Sequence, residues 1–185
     1  MKMFSRTALP ALAAVALVAS ATYAGTNPKT GSLDKQLIGT WTMVSNVHDQ
    51  EGKKTEPYGP DAKGSMIFAD NGRVMVIITR TDIPKFASNN RTTGTAEEDK
   101  AAVAGSIAYF GSYRANDADK AITMHVDGTT YPNWLGTDQK RTVELSGDEL
   151  KFTNKAPSMG AGTVVVTWKR VTDARITASA AEPRQ

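Results

Sequence analysis

Short runs in which apolar and polar residues alternate recur through most of this chain. In residues 120–127, Ile122, Met124 and Val126 share one face, whereas His125 belongs to the other. A period of two residues is typical of β-strands that bury one face. Comparable runs occupy residues 37–48, 65–69, 73–81, 107–114, 140–145, 149–153 and 162–171. The pattern therefore predicts about eight strands.

Turn and capping residues separate these runs. Asn71-Gly72 lies between two predicted strands and tolerates the positive φ angles of a tight hairpin. Thr95, with Glu98 three residues later, forms a capping box that predicts one short helix through about Ala104. We therefore predict an all-β fold. It is either an antiparallel up-and-down barrel of about eight strands with one short helix, or a β-sandwich.

Two strands carry expectations about which side chains face inward. Trp41, Met43, Ser45 and Val47 share one parity, so the first strand is expected to turn all four toward the core. The run at residues 73–81 is apolar on both of its faces. One face is expected to line the interior, and a helix or loop is expected to cover the other.

The N-terminal residues predict a secretory signal peptide over residues 1–24. Lys2 and Arg6 precede an apolar run that is too short to span a bilayer, and small residues follow it. Cleavage is expected after Ala24, with Ala21 as the second choice. We therefore expect a periplasmic or secreted protein, with no membrane insertion once the peptide has been removed.

The remaining chain divides into three parts. Residues 25–36 are polar and rich in turn-forming residues, so we expect a flexible lead-in. Residues 37–172 are long enough for one domain with a single core. Residues 173–185 are polar and alanine-rich, which predicts a flexible tail. Because the sequence has no cysteine, neither a disulfide framework nor a lipoprotein anchor is expected.

Charge and motif content narrow the possible functions. Removing the basic residues of the signal peptide brings the formal net charge of +3 close to neutrality, and no basic cluster suggests a nucleic-acid partner. The two histidines lack the spacing of metal ligands, so no metal site is expected. The sequence shows no phosphate loop and no nucleophile elbow, and no cofactor is expected. The oligomeric state is left open.

Motifs at the two ends of the predicted domain resemble those of lipocalins. Gly39-Thr40-Trp41 is similar to the G-x-W signature of their first strand, and Trp168-Lys169-Arg170 is similar to their closing strand. In that family, a basic residue of the last strand packs across the tryptophan and closes one end of the barrel. The resemblance implies that Arg170, or as second choice Lys169, covers Trp41, a contact that cation–π attraction favours.

A wider set of residues resembles the bacterial and fungal lipocalin-like domain proteins. It comprises residues 97–100, the YFGSY run at 109–113, the strand of His125, the PNWLGT segment at 132–137 and Arg141. This resemblance covers roughly residues 37–171 and implies a lipocalin-type β-barrel. It implies little about function, because that group is largely uncharacterised and a fold does not define a function.

Five residues are candidates for lining a ligand pocket, namely Tyr109, Tyr113, His125, Trp134 and Arg141. Tyr109 and Tyr113 share one strand face, and such aromatic rings either line pockets or fill cores. Trp134 follows a turn and either plugs one end of the barrel or forms a wall of the pocket mouth. His125 is either a hydrogen-bonded core residue or an acid–base group.

Arg141 shares its parity with Val143 and Leu145, which places its stem on the apolar face. A buried arginine needs an acceptor for its charge. One interpretation is a structural ion pair with Asp127 or Asp138. The other is a clamp for a carboxylate or enolate of a ligand, because a guanidinium binds a carboxylate through two parallel N–H donors.

These features support more than one class of function. The favoured hypothesis is an exported, non-catalytic barrel that binds a small hydrophobic or amphipathic molecule. The alternative is a pocket enzyme of isomerase, cyclase or hydratase type, in which His125 transfers protons while Tyr109 and Arg141 polarise an oxygen. A structural or protein-binding barrel with a filled interior is a third option.

Overall fold

The computed structural model describes residues 31–172. The expected signal peptide at 1–24, the lead-in up to residue 30 and the expected tail at 173–185 lie outside the described residues. The described strands all belong to one sheet, whose members are β1 (Gly39–Gln50), β2 (Lys53–Thr55), β3 (Lys63–Phe68), β4 (Arg73–Thr79), β5 (Ser106–Asn116), β6 (Ala121–Thr129), β7 (Asp138–Ser146), β8 (Glu149–Asn154) and β9 (Thr163–Arg170).

The sheet closes on itself. Its strands run antiparallel to their neighbours in the order β2-β1-β3-β4-β5-β6-β7-β8-β9, and β1 also pairs with β9. β2 pairs only with the last three residues of β1, so eight strands form the barrel and β2 is an extra strand. The predicted lipocalin-like up-and-down barrel is confirmed, and the sandwich alternative is wrong.

The described chain has two α-helices, α1 (Leu33–Leu37) and α2 (Ala96–Ala104), and one 3-10 helix, Pro132–Trp134. The capping box predicted at the start of α2 is confirmed. The Glu98 N–H donates to Thr95 Oγ1 over 3.2 Å, and the Thr95 N–H donates to Glu98 Oε2 over 2.8 Å. None of the helices within residues 31–172 is long and apolar enough to cross a bilayer.

The helix α1 corrects one expectation. Residues 25–36 were expected to form a flexible lead-in, but the described part from Leu33 is helical and packs against the barrel. Leu33 and Leu37 are buried, and the Leu33 N–H donates to Asp117 Oδ1 over 2.6 Å. Two leucines four residues apart lie on one side of a helix, and burying them stabilises this short element against the sheet.

A β-bulge changes the inward face of β1. Its register against β9 shifts between Met43 and Ser45. Beyond the shift, Asn46 and His48 are buried, and the residues that alternate with them face outward. The prediction that Ser45 and Val47 face the core is therefore wrong, because one extra residue reverses the alternation of side chains.

The outer face of β4 also differs from expectation. Met75 and Ile77 are 55% and 47% exposed, so the expected cover of this face is not found within residues 31–172. Ile67 on β3 and Phe110 on β5 pair with Met75 and extend the apolar strip. The opposite face of β4 lines the interior as predicted.

One end of the barrel is closed around Trp41. The Arg170 guanidinium lies 4.1 Å from the centre of the Trp41 ring. It donates hydrogen bonds to the carbonyl oxygens of Gln36 and Ile38 over 2.7 and 3.0 Å, and to Asp148 Oδ1 over 3.1 Å. Trp41 Nε1 itself donates to the last carbonyl of α1 over 2.9 Å. Arg170 therefore ties the first strand, the last strand and α1 together.

We expect Arg170→Ala to lower the free energy of unfolding by roughly 2–4 kcal/mol, because it removes charged hydrogen bonds and a cation–π contact at once. Denaturant unfolding followed by tryptophan fluorescence measures this loss. Lys169→Ala is the matched control, since Lys169 is the exposed neighbour of Arg170. Its loss should stay below about 0.5 kcal/mol. Equal losses in the two variants would contradict the role given to Arg170.

Candidate functional site

A cavity opens inside the barrel on the side away from the Trp41–Arg170 contact. Its volume is about 50 Å³, and about 490 Å³ when all the empty space out to its solvent-open mouth is counted. Most of the wall is apolar and comes from inward positions of four strands, namely Ile78 on β4, Ile107 on β5, Phe152 on β8, and Val164 and Val166 on β9. An apolar lining with a few placed polar groups is typical of sites for small molecules.

Loops frame the mouth of the cavity. Tyr58 comes from the loop between β2 and β3, and residues 157–159 come from the loop between β8 and β9. The β8–β9 loop is tied to the barrel near both of its ends. Asn154 Oδ1 accepts an amide N–H of the loop over 3.0 Å, and His48 Nε2 lies 2.8 Å from the Ala161 carbonyl oxygen. Polar residues at strand ends thus position this loop over the cavity.

Arg141 is a buried cation in the cavity wall, with only 5% of its surface exposed. Its guanidinium donates to the Lys140 carbonyl over 2.8 Å and to Gln139 Oε1 over 3.4 and 3.5 Å. The centre of the Trp134 ring lies 5.4 Å away. Burial lowers the pKa of Arg141, and interaction with the Tyr109 hydroxyl opposes that shift. A guanidinium nevertheless stays protonated at neutral pH.

The interpretation of Arg141 as half of an ion pair with Asp127 or Asp138 is wrong. On the outer face of the barrel, Asp127 pairs with Arg73 at 2.5 Å and Asp138 pairs with Arg114 at 3.0 Å. Among residues 31–172, the partners of Arg141 are carbonyl, amide and phenol oxygens and one indole face. A buried cation with neutral partners alone favours the entry of an anion or a strong oxygen acceptor.

Tyr109 and Trp134 lie beside Arg141 in the same wall. Their rings meet edge to face at 5.5 Å, and Tyr131 packs against Trp134 at 5.7 Å. Trp134 was expected either to plug one end of the barrel or to form a wall of the pocket mouth, and it lies in the cavity wall. Burial raises the pKa of Tyr109, with Arg141 opposing the shift, so its hydroxyl is neutral and can both donate and accept.

His125 does not face the cavity, which corrects its place among the candidate ligand-binding residues. It lies on the outer face of β6 with a side chain that is 47% exposed, and its Nδ1 is 2.9 Å from Asp138 Oδ1. Its hydrogen bond to Asp138, together with the one from Arg114, lowers the pKa of that carboxyl. The parity of β6 places Ile122, Met124 and Val126 inside, so His125 necessarily points out.

Tyr113 is also separated from the cavity, although it shares a strand face with Tyr109. Its ring packs against Phe68 at 4.7 Å, and its hydroxyl lies 3.4 Å from the carbonyl oxygens of Asp34 and Ala69. These neighbours belong to the closed end of the barrel. The structure therefore brings Tyr109, Trp134 and Arg141 together and leaves Tyr113 at the other end.

Several polar or aromatic residues of the cavity were missed from sequence, among them Asn46, Tyr58, Asn154 and Trp168. Asn154 shares the parity of Leu150 and Phe152, so a strand extended by one residue would have included it. Trp168 was assigned only to the lipocalin-like closing motif. No sequence pattern indicates that Asn46 lines the cavity, because its inward direction depends on the β-bulge.

Burial raises the pKa of Tyr58 from 10.0 to about 12, and neighbouring Tyr109 adds to the shift. The folded chain therefore holds this proton more tightly than the unfolded chain does. Between about pH 10 and pH 12 the unfolded state binds fewer protons at this group, so the free energy of unfolding falls as the pH rises through that window.

We expect Tyr58→Phe to lose less stability than the parent chain when the pH is raised from 9 to 11. The difference should approach ~1.4 kcal/mol, the value of one pH unit of linkage. Urea unfolding of both proteins at the two pH values measures it. Below pH 9 the two proteins should show parallel pH dependences. Parallel behaviour up to pH 11 would contradict the burial of the Tyr58 hydroxyl.

The closed barrel of eight antiparallel strands, with a cavity reached at one end, defines this protein as a lipocalin-type barrel. A family model described as the lipocalin-like domain matches residues 38–171. The chain belongs to this lipocalin-like domain family, as the sequence motifs indicated.

Individual proteins are also similar to this chain. The 4'-hydroxy-3'-methoxypropiophenone carrier protein ppsC of Aspergillus oryzae is 27% identical over 103 residues, which cover 51% of this chain and 93% of that protein. Crystal structures of two mutants of the fluorescent protein UnaG are 13% identical, with TM-scores of 0.35 and 0.34. Each comparison covers 75% of this chain and 99% of the UnaG chain.

Proposed function

We propose that this protein is an exported carrier that holds a small, largely apolar molecule inside its barrel. The ligand places an oxygen, either anionic or strongly accepting, against Arg141. The observation that carries this proposal is a buried guanidinium in the wall of an apolar cavity, with no ion pair to any described carboxylate. An apolar ligand body with one such oxygen would match both properties of the wall.

The carrier named above supports the same chemistry. Its name states that it carries 4'-hydroxy-3'-methoxypropiophenone, an aromatic ketone. A ketone oxygen is an acceptor of the kind that Arg141 and the Tyr109 hydroxyl can bind together, and Trp134 offers a face or edge to an aromatic ring. We therefore include aromatic ketones with aromatic carboxylates among the proposed ligands.

The lining favours binding over proton-transfer catalysis. The described residues that line the cavity include no carboxylate and no imidazole. His125, the acid–base group of the enzyme hypothesis, lies on the outer face of the barrel. Residues 31–172 also contain no group of three or more His, Asp or Glu side chains that could hold a metal ion. The isomerase, cyclase or hydratase alternative has therefore lost the residue on which it depended.

A pair of fluorescent probes tests the role of Arg141. Anilinonaphthalene sulfonate and N-phenylnaphthylamine share their aromatic frame, but only the first is an anion. We expect Arg141→Gln to weaken sulfonate binding at least tenfold, because it removes the buried charge, and to change binding of the neutral probe less than threefold. Arg114→Gln, on the outer face, is the control and should change neither affinity. Equal weakening of both probes by Arg141→Gln would contradict an anion contact.

Export is the part of the proposal that depends on residues 1–24. Expression of the full chain in a Gram-negative host should yield a periplasmic or secreted product that begins at Gly25, or at Thr22 if the second site is used. Intact mass and N-terminal sequencing identify the product. A charge in the apolar run, as in Leu17→Arg, should retain the uncleaved chain in the cell. A full-length chain in the cytoplasm of the parent strain would contradict export.

A further inference from the structure

Two buried polar atoms in the cavity wall have no hydrogen-bond partner among residues 31–172. They are the side-chain oxygen of Asn46, a residue that is 5% exposed, and the indole N–H of Trp168, a residue that is 1% exposed. Both residues line the cavity. Buried donors and acceptors of native proteins are nearly always satisfied, so two unsatisfied atoms in one cavity wall indicate a missing partner.

The two side chains are neighbours on the inner face of the barrel. Asn46 on β1 is paired in register with Val166 on β9, and Trp168 lies two residues further along β9. Residues related in this diagonal way share a sheet face and lie within reach of one group placed between long side chains. The bulge in β1 is essential here, because it turns Asn46 from the outer face to the inner one.

The chemistry of the pair restricts what can lie between them. The Asn46 oxygen requires a donor, and the Trp168 N–H requires an acceptor. With the Asn46 amide in this orientation, a carboxylate would repel its oxygen, a ketone or ether would leave that oxygen without a donor, and an ammonium would leave the indole N–H without an acceptor. A hydroxyl can donate to the Asn46 oxygen and accept from the Trp168 N–H through one atom. Because it is uncharged, its burial requires no counter-ion.

Asn46 and Trp168 lie on other strands than Arg141. In the barrel order, β8 separates the strand of Arg141 from that of Trp168, and β8 and β9 separate it from that of Asn46. A ligand that satisfies both must carry its oxygen acceptor and its hydroxyl at different ends of an apolar frame. The cavity lining between them is mostly apolar, as such a frame requires.

We propose that Asn46 and Trp168 form a hydroxyl-recognition subsite, so that the ligand is a hydroxylated aromatic or alicyclic acid or ketone and not a simple apolar anion. This inference rests on the binding function proposed above. It assigns the second polar contact of the ligand and gives a partner to two buried polar atoms that have none among the described residues.

Three naphthoates test the subsite by isothermal titration calorimetry. All carry a carboxylate for Arg141, whereas 6-hydroxy-2-naphthoate adds a hydroxyl at the distal end and 6-methoxy-2-naphthoate adds an ether that cannot donate. We expect the hydroxyl compound to bind the parent protein about tenfold tighter than 2-naphthoate, as two new neutral hydrogen bonds allow. The methoxy compound should not show this tenfold gain in affinity over 2-naphthoate.

Two variants test whether Asn46 and Trp168 cause the tighter binding of the hydroxyl compound. Asn46→Leu keeps a similar volume and removes the acceptor, and Trp168→Phe removes the donor. Each should cut the preference for the hydroxyl compound to about threefold or less. Arg114→Gln, on the outer face, is the control and should keep the affinities of the parent protein for all three naphthoates. Because the Asn46 oxygen accepts no hydrogen bond within residues 31–172, Asn46→Leu should not lower the melting temperature, which separates recognition from a structural role.

The outcomes separate the two proposals. Equal affinities for 2-naphthoate and the hydroxyl compound would overturn the subsite, which would then hold only water, and would leave the carrier function standing. A preference that survives in both variants would also overturn it. Arg141→Gln should weaken all three naphthoates by a similar factor. If no naphthoate binds the parent protein, the carrier function proposed for this class of ligand fails, and the subsite fails with it.

Discussion

The pairing of β1 with β9 is the constraint on which both the fold and the cavity depend. It joins the first long strand to the last one and removes two edges that an open sheet would leave exposed. At one end, the same pairing brings Arg170 over Trp41. Beyond the bulge it sets Asn46 near Trp168 inside the cavity. The pairing of β1 with β9 therefore closes the barrel, caps one end of it and positions polar residues of the cavity wall.

The polar groups of the cavity are few and incompletely satisfied. Within residues 31–172, Arg141 keeps its charge among neutral partners, and Asn46 and Trp168 each hold a buried atom without a hydrogen bond. Arrangements of this kind cost stability in the free protein, and sites that bind ligands are where such costs are expected. At the closed end, by contrast, the charge of Arg170 is satisfied by Asp148, by backbone carbonyl oxygens and by the Trp41 ring.

Local patterns predicted the elements well where chemistry within a few residues decides the outcome. The capping box of Thr95 and Glu98 begins α2 as expected, and the Asn71-Gly72 turn joins β3 to β4. The candidate site was predicted less well. The alternation of side chains correctly placed Arg141 inside the barrel. The same alternation placed His125 outside, so including His125 among the pocket residues was wrong. The alternation also does not indicate how far apart two residues on one strand face lie, and this distance separates Tyr113 from the cavity.

The sequence by itself determined the strand periodicity, the turns, α2 and the lipocalin-like motifs, because these depend on neighbours within one strand or one turn. Only the tertiary structure decided which polar residues meet. A bulge opposite β9 turned Asn46 inward, and α1 folded because the barrel end buries Leu33. Arg141 has no carboxylate partner in the described part of the chain, where Asp127 and Asp138 face outward. Each of these results depends on pairing between distant strands, and short-range alternation carries no information about it.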